Sequence, residues 1–64
     1  MKKNATVFLQ YDEIIHETDY AYYLLFEPGV QKWIAKNLST LHNDGTIEVE
    51  GWWVEINEVE EYIV

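Results

Sequence analysis

The sequence predicts a mostly β protein: a small curled antiparallel sheet or barrel with a short C-terminal helix. Three observations support this fold class: several segments alternate like strands, a Pro-Gly pair separates two of them, and no long helix intervenes. The chain of 64 residues is expected to form one domain over residues 1–64. A domain of this size buries only about 60% of the surface that its unfolded chain exposes, so a homodimer is left open.

The N-terminal half predicts three strands. Residues 5–11 alternate and are rich in β-branched and aromatic side chains, and 14–16 resume an extended run that ends in a polar turn at 17–19. Residues 20–27 are apolar or aromatic at nearly every position, which is typical of a strand covered on both faces.

Pro28 and Gly29 predict a hairpin turn into a partner strand at Val30–Ala35. Residues 37–40 look irregular or briefly helical, and 42–45 form a turn cluster. In the strand that follows, at 46–50, we expect the two aliphatic side chains to point inward and the two glutamates outward.

Gly51 has two interpretations. If the strand continues, the apolar residues move from odd-numbered to even-numbered positions after Gly51. This change needs one extra residue in the strand, which makes Gly51 a β-bulge. If a helix starts there, apolar residues form one stripe at i, i+4, i+7 and i+11, namely Trp52, Ile56, Val59 and Ile63. We favour the helix, although glutamates at i, i+3 spacing oppose it.

The aromatic residues are expected to lie mostly in the core, because so small a domain needs large buried side chains. This concerns Tyr20, Tyr22, Tyr23, Trp33, Trp52 and Trp53. Trp52 and Trp53 are adjacent and cannot face the same way in a strand or a helix. One of them is therefore a candidate exposed anchor for a partner.

Charge is the most informative property of the chain. Twelve acids against four lysines give a net charge of −8, which disfavours direct binding to nucleic acids or anionic membranes. From Asp44 to Val64 the sequence has seven acids and no lysine. We expect this C-terminal segment to present a continuous negative field to a basic partner, unless the acids serve solubility alone.

Cysteine is absent, which excludes disulfides and thiolate metal sites and favours a reducing cytoplasm. Lys2 and Lys3 lead into an apolar run at 5–9 that is too short for a signal peptide, so we expect a soluble, unprocessed chain. Ser39, the one serine, lies in no nucleophile-elbow context. His16 and His42 lack a metal-ligand spacing. The sequence predicts no catalytic residue, no metal and no cofactor, and hence not an enzyme.

Residues 13–38 carry a partial motif, in which Thr18 and Ala21 precede Trp33, Ile34 and Lys36. With Leu38 and the later Ile47, Val49 and tryptophan pair, it resembles a group of short phage and prophage proteins of uncharacterised function. In that group a Thr-x-x-Ala strand precedes a Trp-Ile-Pro-Lys-Ser segment. Here Ala35 replaces the proline and Asn37 the serine. The resemblance implies a mobile-element origin and a small β fold, and no activity.

The sequence leads to the hypothesis of a non-enzymatic acidic binding protein of phage or prophage origin. It would act in the host cytoplasm as an inhibitor or modulator of a nucleic-acid-handling protein with a basic surface, with nucleic-acid mimicry as a mode. The alternative is a small homo-oligomeric structural or accessory β domain. The candidate partner-binding residues are Glu48, Glu50, Trp52, Trp53, Glu55 and Glu58.

Overall fold

Strand-forming residues fill most of the first fifty positions, and the computed structural model folds them into six strands. It describes residues 5–64, so Lys2 and Lys3 lie outside the described residues. The strands are β1 (Thr6–Gln10), β2 (Glu13–Glu17), β3 (Ala21–Glu27), β4 (Val30–Ala35), β5 (Ser39–Leu41) and β6 (Thr46–Glu50). A seven-residue helix, α1 (Gly51–Asn57), follows β6 directly.

The first sheet, sheet A, has the antiparallel order β1-β6-β5. Val7 pairs with Val49 and Leu9 with Ile47, so the apolar residues of β1 and β6 share one face. Leu9, Ile47 and Val49 are buried on it. The expected inward direction of Ile47 and Val49 is confirmed.

The second sheet, sheet B, is the meander β2-β3-β4. The hairpin at Pro28 and Gly29 is confirmed, with Gly29 at φ 89°, a conformation that glycine adopts without steric cost. Leu24 and Phe26 of β3 are buried, whereas Tyr23 and Leu25 on the opposite face are half-buried. The cover expected on both faces of β3 is therefore complete on the inner face and only partial on the outer face.

The mostly β class with a short C-terminal helix is confirmed, and the strands form two three-stranded sheets rather than one closed barrel. The inner faces of both sheets and the helix contribute to one core. The buried core residues are Leu9, Leu24, Phe26, Ile34, Ile47, Val49, Trp53, Val54 and Val59.

The stretch expected to be irregular or briefly helical contains two elements. A 3₁₀ turn at Lys36–Leu38 is followed by the short edge strand β5. Ser39 Oγ donates a hydrogen bond to the Ala35 carbonyl oxygen at 3.0 Å. The turn thereby redirects the chain from sheet B to sheet A.

The helix favoured for the C-terminal segment exists, but its expected stripe is wrong. Trp52 and Ile56 are 47% and 71% exposed, and the buried helical residues are Trp53 and Val54. Because α1 starts immediately after β6, the direction of the strand sets which side of the helix meets the core. The helix also ends at Asn57, so Val59 reaches the core from outside it, before a 3₁₀ turn at Glu60–Tyr62.

Candidate partner-binding surface

Strand β6 places Glu48 and Glu50 on the outer face of sheet A, because side chains alternate along a strand and Ile47 and Val49 face the core. The two glutamates are half-buried rather than fully exposed. Thr6 Oγ1 donates a hydrogen bond to Glu48 Oε2 at 2.8 Å. The outward direction expected for both glutamates is therefore correct, and one of them is held in place.

Glu48 has a second polar neighbour. His42 Nε2 lies 3.4 Å from Glu48 Oε1, and the His42 ring packs against Phe8 with the ring centroids 5.2 Å apart. The hydrogen bond from Thr6, followed by that from His42, lowers the pKa of Glu48 because both stabilise the charged form. Glu48 thus presents a fixed negative charge, although His42 and Phe8 border it.

The chain enters α1 through a close backbone contact. Gly51 N donates a hydrogen bond to the Ala5 carbonyl oxygen at 2.9 Å, and a Cβ at position 51 would lie 3.3 Å from that same oxygen. Glycine therefore allows β1 to approach the start of the helix. The bulge interpretation of Gly51 is wrong, since the strand ends at Glu50.

The helix separates the two adjacent tryptophans. Trp53 is 7% exposed and belongs to the core, whereas Trp52 is 47% exposed. The expectation that one of the pair is free is confirmed, and the structure identifies it as Trp52. Trp53 supports the surface from beneath and is not available to a partner.

Ile56 extends the exposed apolar patch around Trp52. It lies one helical turn after Trp52 and is 71% exposed, and residues at i and i+4 are neighbours on a helix. Glu55, at i+3 from Trp52, is also exposed. An apolar pair beside a carboxylate is therefore presented on the outer side of α1.

Glu58 ends the helix in a left-handed conformation, with φ 58° and ψ 47°. Its backbone N–H donates to the Glu55 carbonyl oxygen at 3.3 Å. Glycine is the usual residue in this conformation, and other residues pay a steric penalty. Glu58 thus lies just beyond the last helical residue, so the four candidate glutamates are divided among β6, α1 and the end of the helix.

We call the group of Glu48, Glu50, Trp52, Glu55, Ile56 and Glu58 the acidic surface. It consists of a pair of carboxylates on sheet A, an apolar pair with Glu55 on α1, and Glu58 at the C-terminal end of that helix. Ile56 was missed by the sequence analysis because the expected helical stripe placed it in the core. The helical spacing of Trp52 and Ile56 was visible, but the side of the helix that meets the core was not.

Sheet B has an exposed face that sequence reasoning missed. Neighbouring residues across its three strands form two outward rows, His16-Tyr23-Trp33 and Glu13-Leu25-Gln31. The Tyr23 and Trp33 rings stack at 4.8 Å, and the His16 ring meets Trp33 edge-on at 6.0 Å. We call these six residues the aromatic face.

This face corrects the expectation that most aromatic rings are core. Of the six tyrosines and tryptophans considered, Trp53 is the one that is buried, while Trp33 is 49% and Tyr20 82% exposed. The alternation of Tyr23 with Leu24 indicates opposite faces of β3. Composition does not say which face is covered.

An open cavity of about 390 Å³ lies where the β1–β2 and β3–β4 turns meet the C-terminal segment. Its lining includes the carboxylates of Asp12, Glu27 and Glu61, and the Tyr62 ring, which stacks on Phe26 at 5.0 Å. The Tyr62 Oη is buried without a hydrogen-bond partner among the described residues. Burial first, and then the nearby carboxylates of Glu27 and Glu61, raise the pKa of this phenol.

Within residues 5–64, no cluster of three or more histidine, aspartate or glutamate side chains is arranged to hold a metal ion. His42 lies against Glu48, and His16 lies in the aromatic face. In the same part of the chain, no helix has both the length and the apolar character needed to cross a membrane.

Comparison with protein-family models, curated proteins and solved structures found no significant match. The resemblance to short phage proteins therefore stays a prediction.

Proposed function

We propose that this protein is a non-enzymatic acidic binding protein that inhibits or modulates a nucleic-acid-handling protein. The observation that carries the proposal is the exposed Trp52–Ile56 pair on α1, which lies in a segment with seven acids and no lysine. We propose further, from the phage resemblance, that the chain is of phage or prophage origin and acts in the host cytoplasm.

Charge would govern the encounter. A surface of one sign steers an oppositely charged partner and raises the association rate, and salt weakens this effect. A chain with a net charge of −8 selects a partner with a basic cleft. Proteins that bind nucleic acids carry such clefts to contact phosphates.

The Trp52–Ile56 pair would lengthen the lifetime of the complex with the partner. Tryptophan is enriched among the residues that dominate binding energy, particularly where surrounding contacts exclude water. Trp52 is half exposed, and Ile56 enlarges its apolar contact area. Once it is buried by a partner, the pair would slow dissociation, while the glutamates around it set the specificity.

The mode of action is competition for a nucleic-acid site. Alternate side chains on a strand are about 6.6 Å apart, close to two steps of one DNA strand at about 3.4 Å each. Glu48 and Glu50 have this relation on β6. The helix continues the acidic surface beyond the strand, so the mimicry extends over a short stretch of backbone charge.

Capture from a bacterial lysate tests the proposal. Immobilised wild-type protein should retain one or a few basic nucleic-acid-handling proteins, identified by mass spectrometry and released by duplex DNA. Trp52→Gln should reduce their retention about ten-fold or more, as expected for an anchor.

The matched control is Trp33→Gln, because Trp33 and Trp52 are almost equally exposed, at 49% and 47%. This control should retain the same proteins as the wild type. Equal retention by wild type and Trp52→Gln, or capture of proteins that DNA does not release, would contradict the proposed function.

A further inference from the structure

We propose that the aromatic face binds the same face of a second copy of this chain, forming a weak and reversible homodimer. This surface is separate from the acidic surface, so the dimer would leave Trp52 and its glutamates free. The inference goes beyond the proposed function and does not depend on it.

The first argument is the exposed apolar character of the aromatic face. Trp33 is 49% exposed although it stacks on Tyr23 at 4.8 Å, and the extra residue in β2, Ile15, is 41% exposed. Within residues 5–64, no segment covers the outer side of sheet B. Sheets bury such faces by packing against a second layer, and another sheet is a standard solution.

The second argument is the distribution of charge. Two copies of a chain with net charge −8 repel each other, so they can approach only through a region poor in acids. Among the six residues of the aromatic face, Glu13 alone is acidic, and it lies on the edge strand β2. The central strand β3 contributes the uncharged Tyr23 and Leu25 to the face, unlike the acidic surface.

The third argument is that two-fold symmetry places the acid of this face over an uncharged polar residue. Glu13 lies on one edge strand, β2, and Gln31 lies on the other, β4, in the same row across Leu25. In a two-fold dimer the same patch is used by both copies. With the axis along β3, the β2 edge of each copy lies over the β4 edge of the other, which brings Glu13 over Gln31, whose side-chain amide is a hydrogen-bond donor.

Charge also distinguishes a second copy from a nucleic acid as the occupant of this face. Aromatic rings on a sheet can stack on bases, but single-strand binders combine them with a basic groove. Of the two lysines within the described residues, Lys36 already pairs with Glu17 at 2.5 Å. The sheet therefore offers a phosphate backbone little positive charge.

The size of the face sets the expected strength. Three strands about 4.8 Å apart, each up to seven residues long at about 3.4 Å per residue, give a face of roughly 14 by 24 Å. A stable interface buries about 800 Å² per partner, which is more than this face supplies by itself. We therefore expect dissociation on dilution through the micromolar range.

Sedimentation equilibrium of the full chain between about 5 and 500 μM tests the proposal, a range chosen for a weak interface. The wild type should change from monomer to dimer, and tryptophan fluorescence should shift to the blue as Trp33 becomes buried. Trp33→Gln should raise the dissociation constant about ten-fold or more. Trp52→Gln, a change at an equally exposed tryptophan, should dimerise like the wild type.

A second variant tests the proposal independently of any effect of Trp33→Gln on folding. Gln31→Glu adds an acid to the exposed aromatic face, and it should weaken the dimer most at low salt because the two copies then repel each other. A chain that stays monomeric at about 500 μM would overturn the proposal. So would a dimer that neither Trp33→Gln nor Gln31→Glu weakens.

Discussion

The aromatic face and the acidic surface each present a half-exposed tryptophan, but the side chains around it differ. Trp33 lies beside Tyr23 and His16, whereas Trp52 lies in a helix between acids, with Ile56 as its apolar neighbour. Equal exposure therefore does not mean an equal role. The charge around each tryptophan is the basis of the two proposals, a copy of the same acidic chain for Trp33 and a basic partner for Trp52.

The two regions also differ in how they are supported. The aromatic face lies on three strands paired along their length. The acidic surface extends over a helix of seven residues that has no side-chain cap at its N-terminus and ends at a left-handed glutamate. The helix holds its position chiefly through Trp53 and Val54, so the acidic surface depends on a few core contacts.

The largest expected effect comes from removing that support. Trp53→Ala should destabilise the fold by about 3–5 kcal/mol, because it deletes a large buried side chain and leaves a cavity. Trp52→Ala should change the free energy of unfolding by about 0.5 kcal/mol, as surface substitutions do. Urea denaturation of both variants measures the contrast. Similar losses for the two variants would mean that the helix does not divide the pair into core and surface.

The next effect concerns the end of the helix. Glu58→Gly should raise the free energy of unfolding by about 1 kcal/mol, because glycine adopts the left-handed conformation without the steric penalty. It should also weaken partner binding, since a carboxylate of the acidic surface is lost.

Glu58→Gln is the control for charge, because it removes the carboxylate and keeps the steric penalty. Thermal unfolding compares the three proteins. If glutamine stabilises as much as glycine, repulsion between acids, and not the backbone conformation, is the cause.

An effect of similar size is expected on the aromatic face. At protein concentrations below the proposed dimerisation range, Trp33→Gln should cost about 0.5–1.5 kcal/mol, because Tyr23 loses its stacked neighbour. Urea unfolding measures the loss. The double variant with Tyr23→Thr should lose less than the sum of the single changes. Full additivity would show that the two rings do not stabilise each other.

The smallest effect is a pH dependence within the acidic surface. The folded pKa of Glu48 lies below its ordinary value of 4.5, so its contribution to stability is present above that value and is lost as the pH falls through the folded pKa. Thr6→Val removes the main cause. The variant should be less stable than the wild type at about pH 7, and the difference should narrow as the pH falls towards about 3.

Thr40→Val is the control, because Thr40 lies opposite Glu48 on the edge strand β5. Urea midpoints across this pH range compare the three proteins. A difference between Thr6→Val and the wild type that persists unchanged in acid would show that Thr6 acts through packing rather than through the carboxylate.

The strands followed from local sequence, because alternation and the Pro28–Gly29 turn depend on neighbouring residues. The short strand β5 was missed because Ser39, Thr40 and Leu41 carry little strand signal apart from their pairing with β6. The helix was predicted, but the side of the helix that faces the core was not. That side depends on the direction in which β6 leads into the helix, which is set by tertiary structure.

The candidate surfaces show the same limit. Adjacency alone indicated that Trp52 and Trp53 diverge, but only packing decides which of them is buried. The aromatic face could not be predicted because the sequence does not say which sheet face lacks a cover. The lysine-free acidic segment was predicted from the sequence, because charged residues can be counted without knowing the fold.

The most direct test of the proposed function is the salt dependence of partner affinity after two matched charge changes. One variant neutralises the acidic surface, and the other neutralises four exposed acids elsewhere, so that both alter the net charge equally. The first is Glu48→Gln, Glu50→Gln, Glu55→Gln and Glu58→Gln; the second is Asp12→Asn, Glu13→Gln, Asp19→Asn and Glu27→Gln.

With the captured partner, the first variant should bind at least ten-fold more weakly and with a shallower salt dependence, while the second should stay close to the wild type. Equal affinities for the two variants, or binding of the wild type that is unaffected by salt, would contradict an acidic surface that mimics nucleic acid.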